Sequence, residues 1–167
     1  MRITETVTHP IDVRRAFTML TDPGYQELRC ERVGSLDQTV QVESEGEATT
    51  VTTRRHLPTT DLPDFVRSFV GPQLLIVETV RWGPADADGE REGAMSVELP
   101  GTPVRFIGGV HLRRDATDPA TTQHVVDGDL EANIPLLGRR IEAAVAPQIS
   151  EIVQVEEQVA REWLARG

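Results

Sequence analysis

Residues 134–167, IPLLGRRIEAAVAPQISEIVQVEEQVAREWLARG, close the chain with apolar side chains at helical spacing. At 100° per residue, Ile134, Leu137, Ile141, Val145, Ile149, Ile152, Val155, Val159 and Trp163 fall on one face, which predicts a single long amphipathic helix. Pro147 lies roughly opposite that face, where it removes one backbone donor and bends the helix toward whatever the apolar stripe covers. So long a stripe needs an equally long apolar partner, and the sequence upstream supplies it as strands.

The nearest two runs are PVRFIGGVHLRR and TQHVVDGDLEAN. Pairing Val110 with Val126, Phe106 with Leu130 and Gly108 with Gly128 gathers the apolar side chains on one face and sets Arg105 opposite Glu131 on the other. Upstream, QLLIVETVRW and EGAMSVELP are strands joined by the acidic turn GPADADGER, a loop too long to say whether Glu78 or Thr79 faces inward. LDQTVQVESEGEATTVTTRRHL reads as a hairpin turning at Glu45 and Gly46, with Val42 opposite Thr49, Val40 opposite Val51 and Gln38 opposite Thr53. In that register Val51, Thr53, Arg55 and Leu57 share the inner face and Arg54 faces out beside Asp37. The chain opens with an alternating strand, RITETVTH, then a helix beginning near Pro10 and broken at TDPGY, then a second helix over Tyr25 to Arg32 that Gly34 stops.

Composition narrows the function. A net charge of −10, spread along the chain, disfavours nucleic acid and anionic lipid headgroups as the main partner. All 17 basic residues are arginines, so no Schiff-base lysine is available. The single cysteine, Cys30, excludes an internal disulfide and a cysteine-based metal cage, and reads as a small buried thiol. No segment approaches the ~20 apolar residues of a membrane-spanning helix, and the first residues lack the pattern of a secretory signal, so a cytoplasmic protein is expected. Residues 1–167 are expected to form one domain.

Strand, two short helices, six strands and a long last helix is the order of the helix-grip fold. The stretches LPDFVRSFVG followed by VETVRWG, and GDLEANIPLLGRRIE leading into the helix, resemble an actinobacterial family of unassigned activity within the START-like superfamily; the arginine- and alanine-rich composition suits a GC-rich bacterium. The resemblance implies an α+β fold, a curved seven-stranded antiparallel sheet wrapped around the C-terminal helix, and a cavity between them. It further implies binding of a small hydrophobic or amphipathic molecule such as a lipid or polyketide. The same cavity in a polyketide cyclase or hydratase would carry out acid–base chemistry, and a collapsed cavity would instead suit a protein-interaction module.

Under these registers Val40, Val51, Phe106, Val110, Val126, Ile141 and Val145 are the candidate walls of that cavity. Thr53, Arg55, His124 and Gln148 are its candidate polar contacts. Arg55 turned inward needs an anion: Glu78 if its strand faces inward, a ligand carboxylate or phosphate, or else solvent at the strand end. Gln148 lies within the apolar stripe, where it meets a ligand or the backbone near the proline. Phe65 and Phe69, in the connection TTDLPDFVRSFVG, either pin that segment to the core or gate the cavity; Asp61 is placed to cap a short helix starting near Leu62. His111 and His124 point to opposite faces and form no metal pair; no GxSxG elbow, phosphate loop or HExxH spacing occurs. No metal, cofactor or catalytic residue is therefore assigned.

Overall fold

The long last helix lies against a seven-stranded antiparallel sheet in the computed structural model, which describes residues 1–167. In chain order the elements are β1 (Arg2–His9), α1 (Val13–Leu20), α2 (Pro23–Arg32), β2 (Asp37–Glu45), β3 (Ala48–Pro58), α3 (Asp64–Val70), β4 (Gln73–Trp82), β5 (Arg91–Glu98), β6 (Val104–Arg114), β7 (Thr122–Ala132) and α4 (Gly138–Arg166). The strand order across the sheet is β1-β7-β6-β5-β4-β3-β2. This is the α+β architecture expected.

The β6–β7 pairing has the expected register, with Val110 opposite Val126, Phe106 opposite Leu130 and Arg105 opposite Glu131. Gly108 and Gly128 face each other at its middle, and neither has room for a side chain. A Cβ on Gly128 would lie 2.6 Å from the Phe106 ring, and one on Gly108 would lie 2.0 Å from the Asp127 carbonyl oxygen. Two strands brought this close can bend together, as glycine pairs in curved sheets do.

The β2–β3 hairpin differs from the sequence expectation by two residues: Glu45 pairs with Ala48, Val42 with Val51 and Val40 with Thr53. Gly46 has φ +60° and takes the first central position of the turn, where a type II′ hairpin requires glycine. A shift of two keeps every side chain on its face, so Val51, Thr53 and Arg55 are still buried. Asp37 pairs with His56 instead of standing beside Arg54, and the His56 ring nitrogen lies 2.8 Å from its carboxylate.

Helix starts are set by capping side chains more than by proline. Asp12 accepts from the amides of Arg14 and Arg15, so α1 begins at Val13 and Pro10 stays outside it. Asp22 does the same for Gly24 and Tyr25, which starts α2 at Pro23, two residues before the expected Tyr25. Asp61 caps nothing: α3 begins at Asp64 after Pro63 and has no side-chain cap. The last helix begins at Gly138 and not at Ile134, because Leu136 adopts φ +66° and breaks the helical path. Pro147 lies inside α4 on its exposed side.

Buried side chains collect in two groups. One joins α1, α2 and the C-terminal half of α4 to the sheet through Tyr25, Trp82, Leu112 and Val159. The other joins α3 and the N-terminal half of α4 through Val66, Val104, Phe106, Leu130 and Ile141. Between them the sheet and α4 stand apart.

Candidate functional site

The space left between sheet and helix is a cavity of about 580 Å³, within the range that holds a drug-sized ligand. Its walls are mostly aliphatic, because strands supply alternate residues to it and α4 supplies its stripe. Val51, Phe106, Val110, Val126, Ile141 and Val145 line it, as do Arg55, His124 and Gln148. Val40 and Thr53 do not. Val40 is half-buried on the edge strand β2, which packs against α2. Thr53 is buried behind the wall, where its hydroxyl accepts a 2.9 Å hydrogen bond from Arg55 Nη1.

Of the three partners open to Arg55, the structure selects Glu78. The β3–β4 register puts Glu78 opposite Thr53 and turns it inward, leaving Thr79 on the other face. Arg55 Nη2 donates to Glu78 Oε2 at 3.1 Å, and Arg29 of α2 donates to Glu78 Oε1. Arg29 Nη1 also lies 3.8 Å from Glu156 Oε1 on α4, and that oxygen lies 3.9 Å from His124 Nδ1. His124 is enclosed by the Trp82 and His9 rings, with centroids 5.8 and 5.9 Å away. Two arginines, two glutamates and two histidines, each from a different element, thus meet in one buried cluster bordering the cavity.

Burial shifts these groups in characteristic directions. Desolvation alone would raise the Glu78 carboxyl, but the charges and hydrogen bonds of Arg29 and Arg55 outweigh it and hold the pKa at about 2. Desolvation opposes charge on Arg29 too, and Glu78 and Glu156 overcome it, so the guanidinium is held charged. Burial pushes His9 down to about 4, with His124 adding to the effect and Glu156 opposing it. It also lowers His124, against the pull of Glu156. Both imidazoles are therefore neutral near pH 7.

Several buried polar atoms have no hydrogen-bond partner within the protein: Arg55 Nε, His124 Nδ1, Glu156 Oε1 and both ring nitrogens of His9 in this cluster, and Gln26 Oε1 and the Tyr25 hydroxyl on α2. Four of these side chains, Arg55, His124, Glu156 and Gln26, belong to the cavity lining. The sequence reading missed Arg29, Gln26 and Glu156, although the spacing of Arg29 and Glu156 carried a signal. Glu156 is four residues after Ile152 and three before Val159, so it shares the apolar stripe; Arg29 is four residues after the buried Tyr25.

At the other side of the cavity, α3, the residues just before it and the β5–β6 turn supply Leu62, Val66, Phe69, Val70 and Pro103. Phe69 lines the cavity while remaining 51% exposed. Phe65 does not line it; this ring packs under the guanidinium of Arg140, 4.2 Å from its centroid, and ties α3 to α4. The ends of the α3 segment are held at Thr59, which donates through its amide to the Pro72 carbonyl and through its hydroxyl to the Gly71 carbonyl. No group of three or more His, Cys, Asp or Glu side chains is placed to hold a metal ion, and no helix is long and apolar enough to cross a membrane.

Residues 4–164 match the model of a family described as "Protein of unknown function (DUF2505)". No curated protein matches the sequence. Among solved structures, the protein TTHA0849 from Thermus thermophilus is similar at TM-score 0.60 and 14% identity, over 97% of this chain and 98% of that one. A START superfamily protein from Mycobacterium smegmatis gives TM-score 0.59 at 11% identity, over 97% and 98%. The Zhui aromatase/cyclase from Streptomyces sp. R1128 gives 0.54 at 17%, over 100% and 98%. At these identities the likeness is one of fold, the START-like helix-grip fold.

Proposed function

We propose, for a chain that belongs to the DUF2505 family, that residues 1–167 act as one cytoplasmic domain binding a small hydrophobic or amphipathic molecule, of the lipid or polyketide kind, between sheet and α4. The observation that carries this reading is the cavity of about 580 Å³ with aliphatic walls and a buried polar cluster on one side. Affinity comes from apolar burial, at about 25 cal/mol per Å² removed from water, and the polar groups set which end of the ligand enters first. The segment carrying α3 is the gate: Phe69 faces both cavity and solvent, and Phe65 anchors the segment to α4. An interior of this size leaves the interaction-module reading without support.

One observation favours a second reading, catalysis on the bound molecule. His124 is a neutral imidazole 3.9 Å from the Glu156 carboxylate in the cavity wall, a pair able to accept and return a proton as a cyclase or hydratase requires.

The test is native mass spectrometry of protein purified from a bacterial host and then incubated with polar-lipid and polyketide extracts, followed by solvent extraction. A retained apolar adduct, reduced at least several-fold in a cavity-filling Val97→Phe variant, supports the binding reading. Absence of any adduct from both extracts refutes it. An adduct recovered chemically altered in wild type and unaltered in His124→Phe moves the assignment to the enzyme.

A further inference from the structure

The buried cluster also discriminates between ligand headgroups, an inference that rests on the binding reading above. The arginines that would attract an anion are already engaged: Glu78 accepts from both, one at each oxygen, and Thr53 accepts from Arg55 Nη1. With two glutamates matching two arginines in the cluster, both histidines neutral, and the third arginine of the lining, Arg32, held by Glu162 through Nε and Nη2, the wall has no cation without a carboxylate partner. An entering carboxylate or phosphate would lose its hydration and face the Glu156 carboxylate, whose contacts with Arg29 and His124, at 3.8 and 3.9 Å, are too long for hydrogen bonds.

What the cluster does offer is unused hydrogen-bonding capacity of both kinds. Gln26 Oε1, Arg55 Nε and Glu156 Oε1 are unpaired but sealed within the wall, which leaves Glu156 Oε2 as the acceptor without a donor and Arg29 Nη1, 3.8 Å from the carboxylate and too far to donate to it, as the donor without an acceptor. Both belong to residues of the cavity lining that are more than nine-tenths buried. A group complementary to such a wall both donates and accepts and carries no charge, which describes a hydroxyl. We infer that the cavity selects neutral, hydroxyl-bearing apolar molecules, such as long-chain alcohols or hydroxylated ring systems, over fatty acids and phosphorylated lipids, with Glu156 as the acceptor of the ligand O–H.

The experiment is displacement of the apolar reporter 1-aminoanthracene from the wild-type chain near pH 7.5 by three competitors sharing one tail: 1-dodecanol, its methyl ether and dodecanoate. The ether controls for apolarity, since it is less polar than the alcohol but has no proton to donate. The alcohol is expected to bind about ten-fold tighter than the ether and the carboxylate, the size expected for one hydrogen bond to a charged acceptor. Glu156→Gln is expected to raise dodecanoate affinity several-fold, because it removes the repelling charge while keeping the shape. Dodecanoate binding as tightly as dodecanol, or the ether binding as tightly, overturns the headgroup inference and leaves cavity binding intact. If the reporter and all three competitors fail to bind, the binding reading falls and this inference with it. Should Glu156→Gln not fold, the wild-type series decides alone.

Discussion

Glu78 carries its charge at 5% exposure because two guanidiniums share it, one on each oxygen. Removing that carboxylate strands Arg55 in a dry site and leaves Arg29 only Glu156 at 3.8 Å, so Glu78→Ala is expected to cost about 3–5 kcal/mol, read as a fall in the urea midpoint. Arg55→Ala should cost less, since Arg29 still holds Glu78. The same cluster makes the protein sensitive to acid. Both Glu78, at about 2 against an ordinary 4.5, and His9, at about 4 against 6.5, bind protons less readily when folded than when unfolded. Their contribution to stability is complete above pH 6.5 and declines as pH falls, first through the His9 window between 6.5 and 4, then through the Glu78 window between 4.5 and 2. Thermal melts at descending pH should show this two-part decline, the His9 part amounting to roughly 3 kcal/mol at most. His9→Phe should reduce the upper part, to which the likewise lowered His124 also contributes, and leave the lower one; an unchanged profile would show that protonation of His9 is not what weakens the fold. The inward turn of Arg55 was legible from the alternation of β3. Its partner was not, because the long turn joining β4 to β5 leaves the register, and with it the facing of Glu78, open to a reading of the sequence.

Among the elements, the β6–β7 pair and α4 do most to shape the cavity. The glycines at the middle of β6 and β7 permit an approach that no side chain tolerates, and the Phe106 ring occupies the space above Gly128. Gly128→Val is expected to lower stability by about 1–3 kcal/mol or more through displacement of Phe106, measurable by chemical denaturation and by loss of near-ultraviolet circular dichroism. The long last helix supplies one whole wall, from Ile141 to Glu156. Deleting residues 147–167 uncovers Trp82 and Tyr25 and removes Val159, so the truncated chain should not show a cooperative thermal transition; native-like melting would contradict the architecture. Existence and type of these elements were readable from periodicity, and so was the β6–β7 register, because a slip by one residue would reverse the faces. Helix starts were less readable. Asp12 and Asp22 are caps and Asp61 is not, a distinction that depends on where the backbone amides point. The β2–β3 turn was misplaced because a hairpin shifted by two residues buries the same side chains, so hydrophobic pattern alone does not separate the two registers.

At the scale of the molecule, sheet and helix are held apart by two separate apolar groups with a cavity between them. Phe69 of α3 borders both this cavity and solvent, so tightening the α3 segment should slow ligand exchange without changing stability greatly. A pair of cysteines joining α3 to the β5–β6 turn should lower the release rate of 1-aminoanthracene when oxidised and restore it when reduced; an unchanged rate would place the entrance elsewhere. What the amino-acid sequence by itself determined is the order of elements, the face of each that is buried, and so the α+β helix-grip architecture. These follow from local periodicity, which repeats every two or 3.6 residues and needs no partner to be read. Only the tertiary structure decided which buried polar groups meet. Arg29, Arg55, Glu78, His124 and Glu156 come from α2, β3, β4, β7 and α4, and their pairing depends on distances among five elements that no local pattern encodes.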